Sequence, residues 1–324
     1  MSKPWHDRAE LIRSGWSPTQ VDAALRRGRL VSVTRGVLLP ADTAHGLVAR
    51  CEAALSTQRK DAAVSHRTAA LLHGWPWVPP SWHLDDQLVA VTVARDDLSR
   101  SSRRGLDRRI ASLPECDVVE IHGLRVTSGP RTAVDLARTE PPVIAVQLMD
   151  WLLSNDRCGL ADLTAVTSQM VRVPQVTRAR SAIALARAGV DSPPETVVRL
   201  QVVGAGLAHP DTCLRLEDDG ILLARGDLGY WRWLIWIEYD GWEWHRSRGV
   251  FRSDRARDRW LSRRGWECLR LTDADVEAPR NWLAQLGQAI AEAPARITAM
   301  SPTRSPEVAA AQRLLALHPS RRRS

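Results

Sequence analysis

Three carboxylates near an aromatic segment in the last third of the chain are the residues best placed to do chemistry. Asp227 precedes this segment, and Glu238 and Asp240 lie within it, two residues apart. Successive side chains of a β-strand point to opposite faces of the sheet. Glu238 and Asp240 therefore share one face of a strand with Leu234 and Trp236. The opposite face is apolar and consists of Trp233, Ile235, Ile237 and Tyr239.

The separation of these carboxylates suits a divalent cation. A two-residue reversal at Trp231-Arg232 would pair Tyr230 with Trp233 and place Asp227 diagonal to Glu238, about 7 Å apart at Cβ. Two carboxylates at this distance can both contact one Mg²⁺, whose oxygen ligands lie at about 2.1 Å. Desolvated carboxylates repel each other unless a cation lies between them. The sequence thus predicts a Mg²⁺ or Mn²⁺ site on Asp227 and Glu238, with Asp240 either as a third ligand or as a neighbour at the end of the strand.

Basic residues follow the carboxylates directly. Residues 242–264 contain eight arginines and only three acidic residues. Arginines beside a metal site can bind the phosphates of DNA. The residues predicted to do so are Arg252, Arg255, Arg257 and Arg270. An exposed amphipathic helix with internal ion pairs, and a solvated hairpin with scattered acids, remain as alternatives.

The motif order in this region resembles the very-short-patch-repair (Vsr) endonuclease-like branch of the PD-(D/E)XK nuclease superfamily. The first matching positions are Asp227, Glu238, Asp240, Gly241 and His245. An Asp-x-x-Arg helix and a Gly-Trp-x-x-x-Arg strand follow in that branch, and they match Asp254, Arg257, Gly265, Trp266 and Arg270. Glu195 lies where the branch carries an acid on its amino-terminal helix.

The resemblance implies a restriction-endonuclease-like α/β domain that hydrolyses DNA with a metal ion. It assigns Glu195 to the catalytic group and gives acid–base work to His245. One position departs from the superfamily, because Asp240 stands where a lysine usually follows the glutamate, and the chain has only Lys3 and Lys60. A degenerate nuclease fold that binds DNA without cutting it therefore remains an alternative.

The amino-terminal residues predict a small DNA-binding domain. Ser17-Pro18 begins a helix, Gly28 ends it, and two short β runs flank Arg35-Gly36. This winged-helix pattern resembles the amino-terminal domain of the AbiEi antitoxins. The resemblance implies that DNA is contacted by Arg26, Arg27, Arg29 and Arg35. It also implies an alternative function as an antitoxin or transcriptional regulator with a cognate toxin protein as partner, and a merely solvated basic face remains open.

Two stretches of the middle region also resemble AbiEi-like proteins, but no role follows for them. One is the helix after Ser65, which begins His66-Arg67-Thr68, and the other is the helix of residues 131–137, capped by Ser128. His66, His73 and His122 are interpreted as structural histidines because no spacing forces them together. A basic loop that is solvated or touches phosphate is formed by Arg100, Arg103, Arg104, Arg108 and Arg109.

Length and composition set the framework for these sites. A chain of 324 residues predicts two or three domains, and 44% hydrophobic residues predict a folded protein. No apolar stretch is long enough for a membrane span or a signal peptide, and five scattered cysteines indicate a reducing, cytoplasmic location. The net charge of +8 is weak evidence for DNA binding, since residues 294–324 contribute six arginines and one glutamate.

These observations combine into an α+β multidomain protein. We expect a winged helix over 1–43, an α/β AbiEi-like middle domain over 44–190, a PD-(D/E)XK domain over 191–292 and a basic disordered tail over 293–324. Within the tail, Val308 to Leu317 is a candidate apolar helix. The predicted function is a DNA-binding protein with a metal-dependent endonuclease-like domain, with no membrane partner and no small-molecule cofactor.

Overall fold

The computed structural model describes residues 3–43, 46–83, 88–94, 105–241 and 257–317. These residues form an α+β fold with three separate sheets. It divides into two compact units, residues 1–152 with 156–184 and residues 153–155 with 185–324. Across the described ranges, every helix is too short or too polar to span a membrane.

The first unit begins with two helices and a small antiparallel sheet of order β1-β3-β2. Ser17 caps α2 in a capping box with Gln20, and Gly28 beyond its end has φ +66°. The β2–β3 turn contains Arg35 and Gly36, as the sequence predicts. The elements are β1 (His6–Asp7), α1 (Arg8–Arg13), α2 (Pro18–Arg26), β2 (Leu30–Thr34) and β3 (Val37–Pro40).

The rest of the first unit surrounds a five-stranded mixed sheet of order β6-β5-β4-β8-β7. Ser128 accepts the N–H of Arg131 and begins the predicted helix α5. The elements are α3 (Leu47–Leu55), β4 (Ala63–Val64), α4 (His66–Leu72), β5 (Val89–Val93), β6 (Leu106–Ile110), β7 (Val118–Ile121), β8 (Leu124–Thr127), α5 (Gly129–Thr139), α6 (Pro142–Ser154), α7 (Leu160–Gln169) and α8 (Val176–Leu185).

The second unit contains a four-stranded sheet of order β12-β11-β10-β9. Strands β9, β10 and β11 are antiparallel, and β12 runs parallel to β11. The elements are α9 (Pro193–Gly204), β9 (Asp211–Asp218), β10 (Ile221–Tyr230), β11 (Ile235–Tyr239), α10 (helical residues 257–263), β12 (Glu267–Leu271), α11 (Asp273–Glu277), α12 (Arg280–Thr298) and α13 (Pro306–Leu317).

Both faces of this sheet are covered by helices. Leu234 and Trp236 of one face pack in a cluster with Val308 of α13. Ile235 and Ile237 pack with residues of α9 and α12 on the other face. The alternation predicted for β11 is confirmed, and the two apolar layers fix the direction in which Glu238 points.

The reversal between β10 and β11 differs from the prediction. A two-residue turn with Tyr230 opposite Trp233 is wrong, because Trp231–Trp233 forms a 3₁₀ turn followed by Leu234 at φ +49°. Tyr230 instead pairs with Ile235. The Trp231 ring packs edge-on against Trp266, which holds the wider turn. Since the register moves by two residues, each side chain keeps its predicted face.

The expected disordered tail is wrong for residues 293–317. Helix α12 continues through Pro294 to Thr298, and the apolar helix predicted over Val308 to Leu317 is confirmed as α13, which begins two residues earlier. Val308 is fully buried, and Glu307 pairs with Arg264 at 2.8 Å. Burial of this apolar face offsets the basic, proline-containing composition on which the expectation of disorder depended. Residues 318–324 lie outside the described residues.

Candidate functional site

Glu238 lies at the centre of a carboxylate cluster in the second unit. It is 5% exposed on β11, and Trp236 Nε1 donates to its Oε1 at 2.8 Å. Arg257 and Arg270 contact its Oε2 at 2.7 and 2.9 Å. The pKa of Glu238 is raised overall, mainly by burial and also by nearby Asp227. The Trp236 indole and the two guanidinium groups offset part of this rise.

Asp227 lies on the neighbouring strand, opposite Glu238. The ladder pairs Leu228 with Ile237, and the same register continued by one residue brings Asp227 to Glu238. Asp227 Oδ2 accepts the backbone N–H of Tyr239 at 2.8 Å. No described residue donates to Oδ1, so this oxygen can accept a ligand. Burial raises the pKa of Asp227, and neighbouring carboxylates add to the effect.

Glu195 brings a third carboxylate to this cluster from the first turn of α9. It is 5% exposed and accepts hydrogen bonds from Asp191 N at 3.0 Å and Ser192 Oγ at 2.7 Å. Burial, followed by repulsion from Asp227, raises the pKa of Glu195 to about 7. Part of the Glu195 population is therefore protonated near neutral pH.

Arg270 on β12 connects the remaining acids. Its Nη1 donates to both carboxylate oxygens of Asp240, at 3.1 and 2.9 Å. Its Nη2 and Nε donate to Asp258 of α10, at 2.8 and 3.0 Å. The neighbouring carboxylates raise the pKa of Arg270 further above its ordinary value, so it stays charged. Asp240 thus has a guanidinium partner, and its role as a metal ligand stays a prediction.

A glycine makes room for this arrangement. A Cβ atom built on Gly226 would lie 2.4 Å from the indole of Trp236. The same indole donates to Glu238, and it is 1% exposed. The close approach of β10 to Trp236 therefore orients the carboxylate, and it requires a residue without a side chain.

The other predicted site residues fall into three groups. The arginines of the amino-terminal domain are all exposed, and they are Arg26, Arg27, Arg29 and Arg35. Arg257 and Arg270, predicted to bind phosphate, are paired with carboxylates of the cluster. His245, Arg252 and Arg255 lie outside the described residues.

Sequence reasoning missed several contacts of the cluster. Asp258, which pairs with Arg270, is one of the three acids of residues 242–264, and the sequence assigned it no part in the cluster. The Ser192-x-x-Glu195 spacing is that of a capping box, but Ser192 makes no side-chain cap hydrogen bond, and its Oγ instead donates to the Glu195 carboxylate. No sequence signal distinguishes Gly226 from other glycines, because its role depends on Trp236 across the strand.

The carboxylate oxygens of the cluster are suitable ligands for a hard divalent cation, although they do not form a complete coordination site in this structure. Within the described ranges, no three His, Cys, Asp or Glu side chains are arranged to hold a metal ion. Carboxylates whose pKa is raised by desolvation and by neighbouring carboxylates are nevertheless the groups that a cation stabilises. In this cluster, Asp227 and Glu238 are the pair that adjacent strands bring opposite each other.

No protein-family model matches the chain. Two uncharacterized proteins of Mycobacterium tuberculosis, from strains CDC 1551 / Oshkosh and H37Rv, are similar to it. Each is 23% identical over 267 residues, which cover 82% of this chain and 93% of the relative. Their names state no activity, so the function has to be inferred from the cluster itself.

Proposed function

We propose that this protein binds DNA and hydrolyses its phosphodiester bonds with a Mg²⁺ or Mn²⁺ ion at the carboxylate cluster. The observation that carries the proposal is the position of Asp227 opposite Glu238 on adjacent strands, with both groups largely withdrawn from water. Glu195 interacts with Asp227 from α9. Glu195 and Glu238 are buried and Asp227 is half-buried, and carboxylates gathered in this way cost free energy unless they have cationic partners.

The order of the elements supports a restriction-endonuclease-like domain. The resemblance implies an acid on an amino-terminal helix, an Asp strand, a Glu strand, an arginine helix and an arginine strand, in this order. The chain carries Glu195 on α9, Asp227 on β10, Glu238 on β11, Arg257 on α10 and Arg270 on β12. Each of these side chains contacts or electrostatically influences another member of the set.

A divalent cation would be held by Asp227 and Glu238. When bound, such an ion polarises the scissile phosphate and lowers the pKa of bound water. In the absence of the cation, Arg257 and Arg270 neutralise Glu238. A phosphate oxygen that replaces the carboxylate can bind the same two arginines. Glu195, with a pKa of about 7, can hold or release a proton at its carboxylate at neutral pH. The acid–base role of His245 stays a prediction.

Duplex affinity would come from the amino-terminal domain. Its two helices and three short strands agree with the winged-helix pattern. Four exposed arginines lie on α2, directly after it and at the β2–β3 turn: Arg26, Arg27, Arg29 and Arg35. Exposed arginines bind phosphates irrespective of sequence and release counterions when they do so.

One observation favours a second function, a transcriptional regulator or AbiEi-type antitoxin with an inactive nuclease fold and a cognate toxin as partner. Both oxygens of Glu238 already have donors, Trp236 on one side and two arginines on the other. Ion pairs of this kind stabilise a buried carboxylate without any metal. A regulator would therefore need no cation at this cluster, whereas a nuclease would.

Cleavage of supercoiled plasmid DNA by the full-length chain tests the proposal. We expect nicked or linear product with Mg²⁺ or Mn²⁺ and none with EDTA. Asp227→Asn should lower the rate by at least about 10², whereas Asp218→Asn, an exposed acid of the same hairpin, should leave it unchanged. DNA binding without cleavage under any of these conditions would contradict the nuclease and support the regulator.

A further inference from the structure

The first unit contains a cavity of about 300 Å³ that none of the preceding roles uses. Its polar lining consists mainly of His66, Arg67, Asp107, Arg109 and Glu140, with Trp82 beside them. His66 and Arg67 begin the first of the two stretches whose role the sequence left unassigned. Thr139 and Glu140 lie at the end of the helix that contains the second stretch, separated from it by one residue. The two stretches therefore meet at one cavity.

Arg67 forms a rigid plane in the wall of this cavity. Its Nε and Nη2 donate to the two oxygens of Glu140 at 2.7 and 2.8 Å. Its guanidinium carbon lies 5.2 Å from the ring centre of Trp82, which is 3% exposed. The Arg67 side chain itself remains 45% exposed. One face of the guanidinium is thus packed on an indole, and the other can stack on a planar ligand.

Two further groups offer hydrogen bonds at this cavity. His66 is 5% exposed, and its Nδ1 lies 2.9 Å from Ser65 Oγ, while no described residue bonds its Nε2. The backbone of His66 has φ +52°, a conformation that costs free energy and is concentrated at functional sites. Arg109 also lines the cavity with a side chain that is 42% exposed, and its Nη2 donates to Asp107 at 2.7 Å.

The charges of the lining cancel. Arg67 pairs with Glu140 and Arg109 with Asp107, and burial lowers the pKa of His66, which keeps its ring neutral. A phosphate in this cavity would have to compete with two carboxylates for its cations. A neutral, planar molecule with donors and acceptors along its edge meets no such competition.

We infer that this cavity binds a nucleobase, which stacks on the guanidinium of Arg67 and forms hydrogen bonds through its edge to His66 and Arg109. The volume lies at the lower end of ligand cavities, roughly 300–1,000 Å³. The base can belong to a free nucleoside or to an unstacked nucleotide of a nucleic acid. This inference is independent of the nuclease proposal, since it concerns another unit of the chain.

Titration of the full-length chain with adenosine, guanosine, cytidine and thymidine tests the inference. We expect saturable binding of at least one nucleoside by calorimetry or saturation-transfer NMR. Arg67→Lys keeps the positive charge beside Glu140 but removes the plane, so the affinity should fall by about tenfold or more. Arg125→Lys is the matched control, because Arg125 makes the same two-bond pair with exposed Glu115 outside the cavity.

A DNA duplex with one bulged 2-aminopurine distinguishes the two sources of the base. A change in its fluorescence that Arg67→Lys abolishes indicates an unstacked base of DNA, and nucleoside binding without that change indicates a free ligand. Either result supports the inference. The inference is overturned if neither a nucleoside nor the bulged base binds. It is also overturned if Arg67→Lys binds as tightly as the wild type and the Arg125→Lys control do.

Discussion

Glu195 is the carboxyl group whose burial has the clearest consequence for stability. Its ordinary pKa of 4.5 is raised to about 7 in the folded chain. Between these two values the folded state holds a proton that the unfolded state has already released. Stability therefore falls as pH rises through this window, by about 1.4 kcal/mol per pH unit from this group.

Glu195→Gln should remove this pH dependence. We compare the free energy of unfolding of the variant with that of the wild type. The difference should rise in favour of the variant by at least about 1 kcal/mol from pH 5 to pH 8, because the amide never ionises. Urea unfolding followed by tryptophan fluorescence measures the difference. The control is Glu292→Gln, an exposed residue of α12 whose effect should not vary with pH. An equal effect of Glu195→Gln at both pH values would contradict the raised pKa.

At the residue level, the sequence predicted the acids of the cluster better than their partners. Strand parity placed Glu238 on the face of Trp236, and the hydrogen bond between them agrees with this. The pairing of Arg270 with Asp240 and Asp258 was not predictable, because it joins β11, β12 and α10 across distant parts of the chain. Local patterns carry no information about such long-range contacts.

At the level of elements, the approach of β10 to β11 depends on a glycine. Gly226→Ala would place a methyl group 2.4 Å from the Trp236 indole, and the tightly packed core has no room for it. We expect a loss of roughly 1–3 kcal/mol in the free energy of unfolding. Gly204→Ala, at the end of α9 with no atom within 4 Å of the new methyl group, should be neutral or slightly stabilising.

Urea denaturation of these two variants measures the effect. Equal stability of Gly226→Ala and Gly204→Ala would show that the indole is not in close contact with β10.

The turn between β10 and β11 was mispredicted because Trp231 and Trp233 favour packing over a tight reversal. The face of each side chain was still correct, since a shift of two residues preserves parity.

Helix α13 gives a second prediction at this level. Val308→Asn places a polar group at a fully buried position between α13 and the sheet. The free energy of unfolding should fall by about 2–4 kcal/mol. Leu317→Asn, on the same helix but 71% exposed, should change it by less than about 0.5 kcal/mol. A Val308→Asn protein as stable as the wild type would show that this helix does not belong to the core.

At the level of the whole molecule, composition predicted a folded α+β chain but not where its basic residues are used. The tail arginines made net charge a poor guide, and part of that tail is a helix with a buried face. DNA binding is therefore tested at the exposed arginines of the amino-terminal domain. The slope of log K against log salt concentration, where K is the association constant for duplex DNA, should become shallower by about one when one of these arginines is changed to Gln. The four residues are Arg26, Arg27, Arg29 and Arg35.

Fluorescence anisotropy with a labelled duplex between 50 and 300 mM salt, roughly the range over which counterion release is resolved, measures this slope. Arg313→Gln, an exposed residue of α13, is the control and should leave the slope unchanged. If replacing all four amino-terminal arginines leaves affinity and slope intact, residues 1–43 are not the part that binds DNA.

The binding of Mn²⁺ to the full-length chain tests the central claim most directly. Titration calorimetry should show a site whose affinity falls by at least about tenfold in Asp227→Asn, because an amide oxygen is a weaker ligand for a hard cation than a carboxylate. Asp227→Asn also removes a buried charge, so the variant should remain folded. Asp218→Asn should bind as the wild type does. An absence of Mn²⁺ binding, or equal affinity in Asp227→Asn, would contradict the carboxylate cluster as a cation site.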